Sequence, residues 1–191
     1  MVPSARHNCL QSIHAYWQRK PVFLDTETTG LEGTAEVIEI CIVDHDARVL
    51  LDTLVKPCRM IPWQVTQVHG ITNEMVAGSP GWAEVWPHAR ELLTGRPVGS
   101  YNSEFDLRML SQSNRANGIS WNTRDTHFFC IMKLYAQFMG CRWQKLEAAG
   151  RQCGLSLPNA HRARADTLLA REVFIYMARQ SELASSAGKG L

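Results

Sequence analysis

The strongest constraint on this chain is an apolar run that ends in two acidic residues. Residues 21–24 form the run, and Asp25 and Glu27 follow it with one threonine between them. The run predicts a buried strand, and side chains two apart on a strand point to the same face. Asp25 and Glu27 are therefore expected side by side at the strand end. Such a pair either lies in solvent, shares a proton, or binds a hard cation such as Mg²⁺ or Mn²⁺.

The order of predicted elements indicates an α/β domain. Strands are expected at 22–27, 36–43 and 49–55, in an antiparallel arrangement, and shorter strands at 97–101 and 121–125. Helical periodicity, with Asn8 as a candidate N-cap of the first helix, predicts helices at 8–19, 82–93, 104–116, 126–138, 143–153 and 163–179. The pattern predicts a mixed five-stranded sheet flanked by helices.

Length and composition fit one globular domain. The chain has 191 residues, of which 45% are hydrophobic and 20% charged. We divide it into an N-terminal extension at 1–19, a main domain at 20–180 and a polar C-terminal tail at 181–191. Acidic residues predominate between positions 22 and 106 and basic residues after position 131. This asymmetry suits a cation-dependent enzyme that acts on a polyanion, or it reflects a solvated surface.

The cysteines and the apolar runs indicate a cytoplasmic protein. The six cysteines form no Cys-x-x-Cys pair, which favours a reducing compartment. No apolar run approaches the roughly 20 residues needed to span a bilayer. We therefore expect no membrane partner.

Two further motifs place possible catalytic residues near predicted helix starts. Asn102, Phe105 and Asp106 lie where a short strand gives way to a helix, and His161 precedes Asp166 by five positions at the start of the last helix. Each motif is ambiguous alone, because acids are common in the first turn of a helix and loop histidines are commonly structural.

Taken together with Asp25 and Glu27, these motifs resemble those of the DEDDh exonucleases. The family includes the proofreading epsilon subunit of bacterial DNA polymerase III, exonuclease X, RNase T and oligoribonuclease. The resemblance covers residues 20–180 and implies a ribonuclease H-like fold for that domain. It also implies a phosphodiester hydrolase that shortens nucleic acids from the 3′ end and releases 5′-nucleoside monophosphates.

The resemblance assigns roles to five residues. Asp25, Glu27, Asp106 and Asp166 would hold two Mg²⁺ or Mn²⁺ ions, and His161 would act as general base. Two metal ions stabilise both the attacking and the leaving oxygen of such a reaction, and an imidazole titrates near neutral pH.

Substrate contacts are also implied by the resemblance. For Leu31 and Phe105 the alternative is ordinary core packing, and for His69 it is a structural role at a helix end. The substrate-binding candidates are Thr28, Thr29, Gly30, Leu31, His69, Asn102 and Phe105.

Three functions remain open from the sequence. Single-stranded DNA is the preferred substrate, and an RNA exonuclease or oligoribonuclease is the alternative. A non-catalytic nucleic-acid-binding accessory subunit is the third, but it predicts the loss of a metal ligand, and none is missing. A polymerase or clamp partner is possible but unsupported, since the segment from Gln180 contains no aromatic clamp-binding peptide.

Overall fold

A mixed five-stranded sheet forms the centre of the computed structural model, which describes residues 5–155 and 161–187. Its strands are β1 (Val22–Thr28), β2 (Val37–Val43), β3 (Val49–Leu54), β4 (Pro97–Ser100) and β5 (His127–Cys130). Their order across the sheet is β3-β2-β1-β4-β5. The first three strands pair antiparallel, whereas β4 pairs parallel with both β1 and β5. The predicted α/β class, with a mixed sheet of five strands, is confirmed.

Helices cover both faces of this sheet. They are α1 (Ala5–Gln18), α2 (Trp63–His69), α3 (Asn73–Val76), α4 (Trp82–Leu93), α5 (Ser103–Ala116), α6 (Ile131–Met139), α7 (Leu146–Gln152) and α8 (Ala163–Ala187). Phe23 of β1 packs with α1, α6 and α8 on one face. Its neighbour Leu24 packs with α4 and α5 on the other. Within the described part of the chain, no helix is long and apolar enough to cross a membrane.

The fifth strand lies later in the chain than the sequence predicts. The prediction at 121–125 is wrong, because 123–125 form a single 3₁₀ turn in which the Asn122 side chain accepts a hydrogen bond from the Arg124 amide at 3.2 Å. Trp121 packs edge-on against Trp86, with 4.8 Å between ring centroids. The strand forms instead at 127–130, and α6 begins at Ile131 and not at residue 126. An aromatic side chain read as part of a strand thus belongs to a loop that covers α4.

The first helix is part of the hydrophobic core. It begins at Ala5, so Asn8 lies within the helix and is not its N-cap as predicted. Cys9 and Ile13 are buried, and the Tyr16 ring stacks on Phe129 with 4.2 Å between centroids. The proposed divisions after residues 19 and 180 remain predictions. The backbone of α8 continues helically to Ala187, and positions 188–191 of the proposed tail lie outside the described residues.

We expect Ile13→Ala to lower the free energy of unfolding by about 2–4 kcal/mol, because it leaves a cavity in a fully buried site. Urea titration of the purified variant measures this loss. The control His14→Ala changes an exposed residue of the same helix and should alter stability by less than about 0.5 kcal/mol. Equal stability of the two variants would show that α1 does not contribute to the cooperative core.

Candidate active site

Three carboxylates meet on the face of the sheet that α8 covers. Strand alternation places Asp25 and Glu27 on the same side of β1 as Phe23, which packs 5.7 Å from Phe174 of α8 between ring centroids. Asp166 lies in the first turn of α8. Oxygen atoms of Asp25, Glu27 and Asp166 all lie within 4.8 Å of one another. This acidic trio has the donor atoms and the spacing that a divalent cation needs.

The fourth predicted carboxylate reaches the site from the other side of β1. Asp106 lies in the first turn of α5 and is only 2% exposed. Its Oδ1 accepts a hydrogen bond from Thr26 Oγ1 at 2.9 Å, and its Oδ2 accepts one from Ser100 Oγ. Asp106 therefore stands beside the acidic trio, with a carboxylate oriented by two hydroxyl groups.

The predicted base lies at the start of α8. His161 is exposed and has a positive φ of 67°, and its backbone N–H donates to Asp166 Oδ2 at 3.3 Å. The Asp166 amide in turn donates to the Arg162 carbonyl at 3.0 Å. This tight turn brings the histidine next to the acidic trio. Residues 156–160, which directly precede it, lie outside the described residues.

Burial, and for Asp25 and Glu27 also the neighbouring negative charges, disfavours ionisation of these acids. Burial, followed by the charges of Asp106 and Glu27, raises the pKa of Asp25 well above its usual range. Burial and the charge of Asp166 raise the pKa of Glu27 to about 8. Burial also raises the pKa of Asp106 to about 6, although the hydroxyl groups of Ser100 and Thr26 act in the opposite direction. A bound divalent cation would relieve this repulsion, so the residues present fit such an ion.

A second group of acids, near the β2–β3 turn, differs in its charge balance. Asp44, His45 and Asp46 also lie close enough to share an ion. However, Asp44 already accepts hydrogen bonds from Arg96 and Arg48, the latter at 3.0 Å. Burial alone would raise its pKa, but the bonds from Arg96, His45 and Arg48 lower it. Two arginines thus satisfy this carboxylate, in contrast to the acidic trio.

Comparison with known proteins identifies the family. The sequence model described as "Exonuclease" (RNase T) matches residues 22–174. The chain belongs to this exonuclease family. An uncharacterized exonuclease of Escherichia phage 186 is 38% identical over 158 residues, which are 76% of this chain and 81% of the phage protein. The DNA polymerase III epsilon subunit of Treponema pallidum is 28% identical, with 80% of this chain and 74% of that protein aligned.

A solved structure supports the same assignment. Exonuclease X in complex with 5′ overhanging duplex DNA superposes with a TM-score of 0.66 at 27% identity, covering 84% of this chain and 92% of that one. The expected resemblance to the DEDDh exonucleases and the ribonuclease H-like fold are confirmed. The roles of the individual site residues remain predictions.

The loop after β1 of this exonuclease is held largely by its own hydrogen bonds. Thr28 Oγ1 donates to the Gly30 carbonyl at 2.7 Å. The Thr29 amide donates to the Glu36 carbonyl at 2.9 Å, and Thr29 Oγ1 accepts from the Glu36 amide at 3.0 Å. The Thr29 amide is therefore not available to a substrate in this conformation. Leu31, in contrast, is 72% exposed, which decides against core packing for its side chain.

The remaining substrate candidates divide into exposed and buried groups. Asn102 is exposed, and Phe105 is half-buried against the core beneath α5, with the Arg108 guanidinium 5.5 Å from its ring centroid. His69 is buried at the end of α2, and its Nδ1 accepts a hydrogen bond from the Ile71 amide at 3.0 Å. This bond fits the structural alternative for His69, and its contact with a substrate stays a prediction.

Sequence reasoning missed three polar residues that support the site. Thr26 and Ser100 orient Asp106, and Glu39 lies buried in β2, opposite Glu27 in the strand register. The signal for Glu39 was present in the sequence. It is the one charged residue between Val37 and Val43, and acidic residues are rarely fully buried without a partner.

Proposed function

We propose that the protein is a 3′-to-5′ exonuclease that shortens single-stranded DNA and releases 5′-nucleoside monophosphates with the aid of two Mg²⁺ or Mn²⁺ ions. The convergence of Asp25, Glu27 and Asp166 within 4.8 Å carries this proposal. The charge of Asp106 also acts on this trio. After burial, it is the largest cause that raises the pKa of Asp25. The acidic trio, together with the nearby charge of Asp106, provides the negative charge that two divalent cations require.

The four acids would divide the ions between them. Asp25 would contact both ions, Glu27 and Asp166 would complete one site, and Asp106 would hold the other. Bound ions would stabilise the charge that develops on the attacking and leaving oxygens of the phosphodiester. Thr26 and Ser100 keep the Asp106 carboxylate in one orientation, which limits the reorganisation needed when the substrate arrives.

His161 would accept the proton of the attacking water. Its imidazole is exposed, while its backbone is tied to the Asp166 carboxylate at 3.3 Å. An exposed imidazole beside Asp166 can take a proton from a water bound near the acidic trio and pass that proton to solvent. His161, the proposed proton acceptor, and Asp166, a proposed ion ligand, thus lie five positions apart in one turn of the chain.

The surface around the site suits an unpaired strand end. Leu31 is exposed directly after a buried loop, and an apolar side chain there can contact the face of a terminal base without selecting a sequence. The complex of exonuclease X with DNA and the similarity to an epsilon subunit both support DNA as the substrate.

A comparison of nucleic acids tests this proposal. Strands of one sequence, as single-stranded DNA, duplex DNA and RNA, are incubated with the protein and Mg²⁺, and the released products are separated by chromatography. We expect 5′-nucleoside monophosphates, released fastest from single-stranded DNA. Faster release from RNA would favour the RNA exonuclease, and binding without any release would favour the non-catalytic subunit.

A further inference from the structure

Glu39 is a buried acid opposite β1, and the proposed reaction assigns it no role. Glu39 lies in β2, a strand whose seven residues are all buried, and it is only 3% exposed. It faces Glu27 in the antiparallel register of β1 and β2. Two like charges directly opposite each other destabilise a sheet, and a buried charge is costly unless it is paired. Glu39 therefore needs a partner.

Its partners come from the start of α8, more than 120 positions away in the sequence. Arg162 Nε donates to both carboxylate oxygens of Glu39 at 3.1 Å, and Arg162 Nη2 donates to Oε1 at 2.5 Å. The Ala163 amide donates to Oε2 at 2.9 Å. The carboxylate thus binds a guanidinium and the first backbone N–H of the helix at the same time, which is a directional arrangement.

This contact fixes the segment that carries two of the site residues. Arg162 directly follows His161, and the Arg162 carbonyl accepts a hydrogen bond from the Asp166 amide at 3.0 Å. The Asp166 carboxylate accepts the His161 amide at 3.3 Å. Four hydrogen bonds to Glu39 therefore join β2, directly opposite Glu27, to the turn at the start of α8. In this turn His161 and Asp166 are themselves joined by a hydrogen bond.

We propose that Glu39 and Arg162 are positioning residues that hold His161 and Asp166 in register with Asp25 and Glu27. This inference rests on the proposed nuclease function. Glu39 would not be an ion ligand, because its Oε1 accepts hydrogen bonds from Arg162 and its Oε2 accepts them from Arg162 and the Ala163 amide. Arg162 would not be primarily a phosphate contact, because Nε and Nη2 are directed at Glu39.

Steady-state kinetics on single-stranded DNA distinguishes these roles. We expect Arg162→Ala to lower kcat by about 10–100-fold with KM changed by less than about 2-fold, as is typical when a group that orients catalytic residues is removed. Arg162→Lys should recover only part of kcat, since an ammonium keeps the charge but lacks the rigid planar fork with which the guanidinium binds the carboxylate. Glu39→Gln should resemble Arg162→Ala, and the double variant should lose no more than about 2-fold further.

Arg164→Ala is the matched control. It removes the same charge two positions away, from a side chain that is 59% exposed and lies 3.5 Å from Asp52. Its kcat should equal that of the wild type. Hydrogen exchange provides a readout that does not depend on activity. The amides of residues 161–167 should exchange faster in Arg162→Ala than in the wild type, and at the wild-type rate in Arg164→Ala.

Two results would overturn the inference. A raised KM with unchanged kcat and a weaker salt dependence in Arg162→Ala would make Arg162 a phosphate contact. Loss of thermal stabilisation by Mn²⁺ in Glu39→Gln, with exchange at 161–167 unchanged, would make Glu39 an ion ligand. An inactive wild type would instead refute the proposed function, and the exchange data would still decide whether the pair fixes this segment.

Discussion

Replacing Asp25 with asparagine is expected to lower kcat by about 10³-fold or more and to leave the protein folded. The charges of Asp106, Glu27 and Asp166 all act on Asp25, so its loss would affect both proposed ion positions at once. The carboxamide keeps the size of the side chain but removes the charge that holds a cation. The rate of DNA shortening in saturating Mg²⁺ measures the effect.

The same variant should be more stable than the wild type when no metal is present. Burial and neighbouring charges raise the pKa of Glu27 from its ordinary 4.5 to about 8. An acid whose pKa is higher in the folded than in the unfolded protein contributes stability at a pH below the unfolded-state pKa. This contribution is lost as the pH rises through the folded-state pKa. In EDTA, the wild type should therefore lose stability between pH 4.5 and about 8.

Asp25→Asn should reduce that loss, and its free energy of unfolding at pH 8 should exceed that of the wild type by about 1–3 kcal/mol. Urea titrations at pH 5 and pH 8 in EDTA measure the difference. Mn²⁺ should restore the wild type at pH 8. The control Asp46→Asn, in an exposed turn, should change neither activity nor this pH dependence. Full activity of Asp25→Asn would rule out a role for the acidic trio in hydrolysis.

Replacing His161 with alanine is expected to lower kcat by about 10²–10⁴-fold, the range in which a positioned proton acceptor contributes. The four acids proposed to hold the ions are unchanged in this variant, so stabilisation of the fold by Mn²⁺ should persist. The rise of kcat with pH in the wild type should be absent in the variant. Single-turnover rates between pH 5.5 and 9 measure both effects.

The control for this variant is His88→Ala, which changes an exposed histidine on α4 and should retain the wild-type rate. A pH profile of His161→Ala that parallels the wild type would show that another group accepts the proton. Loss of stabilisation by Mn²⁺ would show that His161 acts on the metal site and not on the water.

Local sequence rules predicted the elements that carry the candidate site residues. The apolar run before Asp25 specifies β1, and strand alternation alone places Asp25 and Glu27 on one face. The last helix was predicted to begin at residue 163, as it does, because its periodicity is regular. Asp106 and Asp166 stood out because each lies near a predicted helix start, and the resemblance to the exonucleases joined them to Asp25 and Glu27.

The errors arose where contacts distant in sequence decide the structure. Trp121 has the aromatic character of a strand residue but packs on Trp86 from a loop, so the fifth strand was placed too early. The partner of Glu39 is Arg162, and no spacing rule connects positions 123 apart. Thr26 was read only as the residue between two acids, although its hydroxyl faces the other side of the sheet and binds Asp106.

Metal-dependent removal of nucleotides from a 3′ end is the central property proposed for this protein. A time course with single-stranded DNA labelled at its 5′ end, in EDTA and after the addition of excess Mn²⁺, tests it directly. We predict full-length DNA in EDTA and, once Mn²⁺ is in excess, a ladder that shortens by one nucleotide at a time. Shortening that continues in EDTA, or internal cuts without a ladder, would contradict the account.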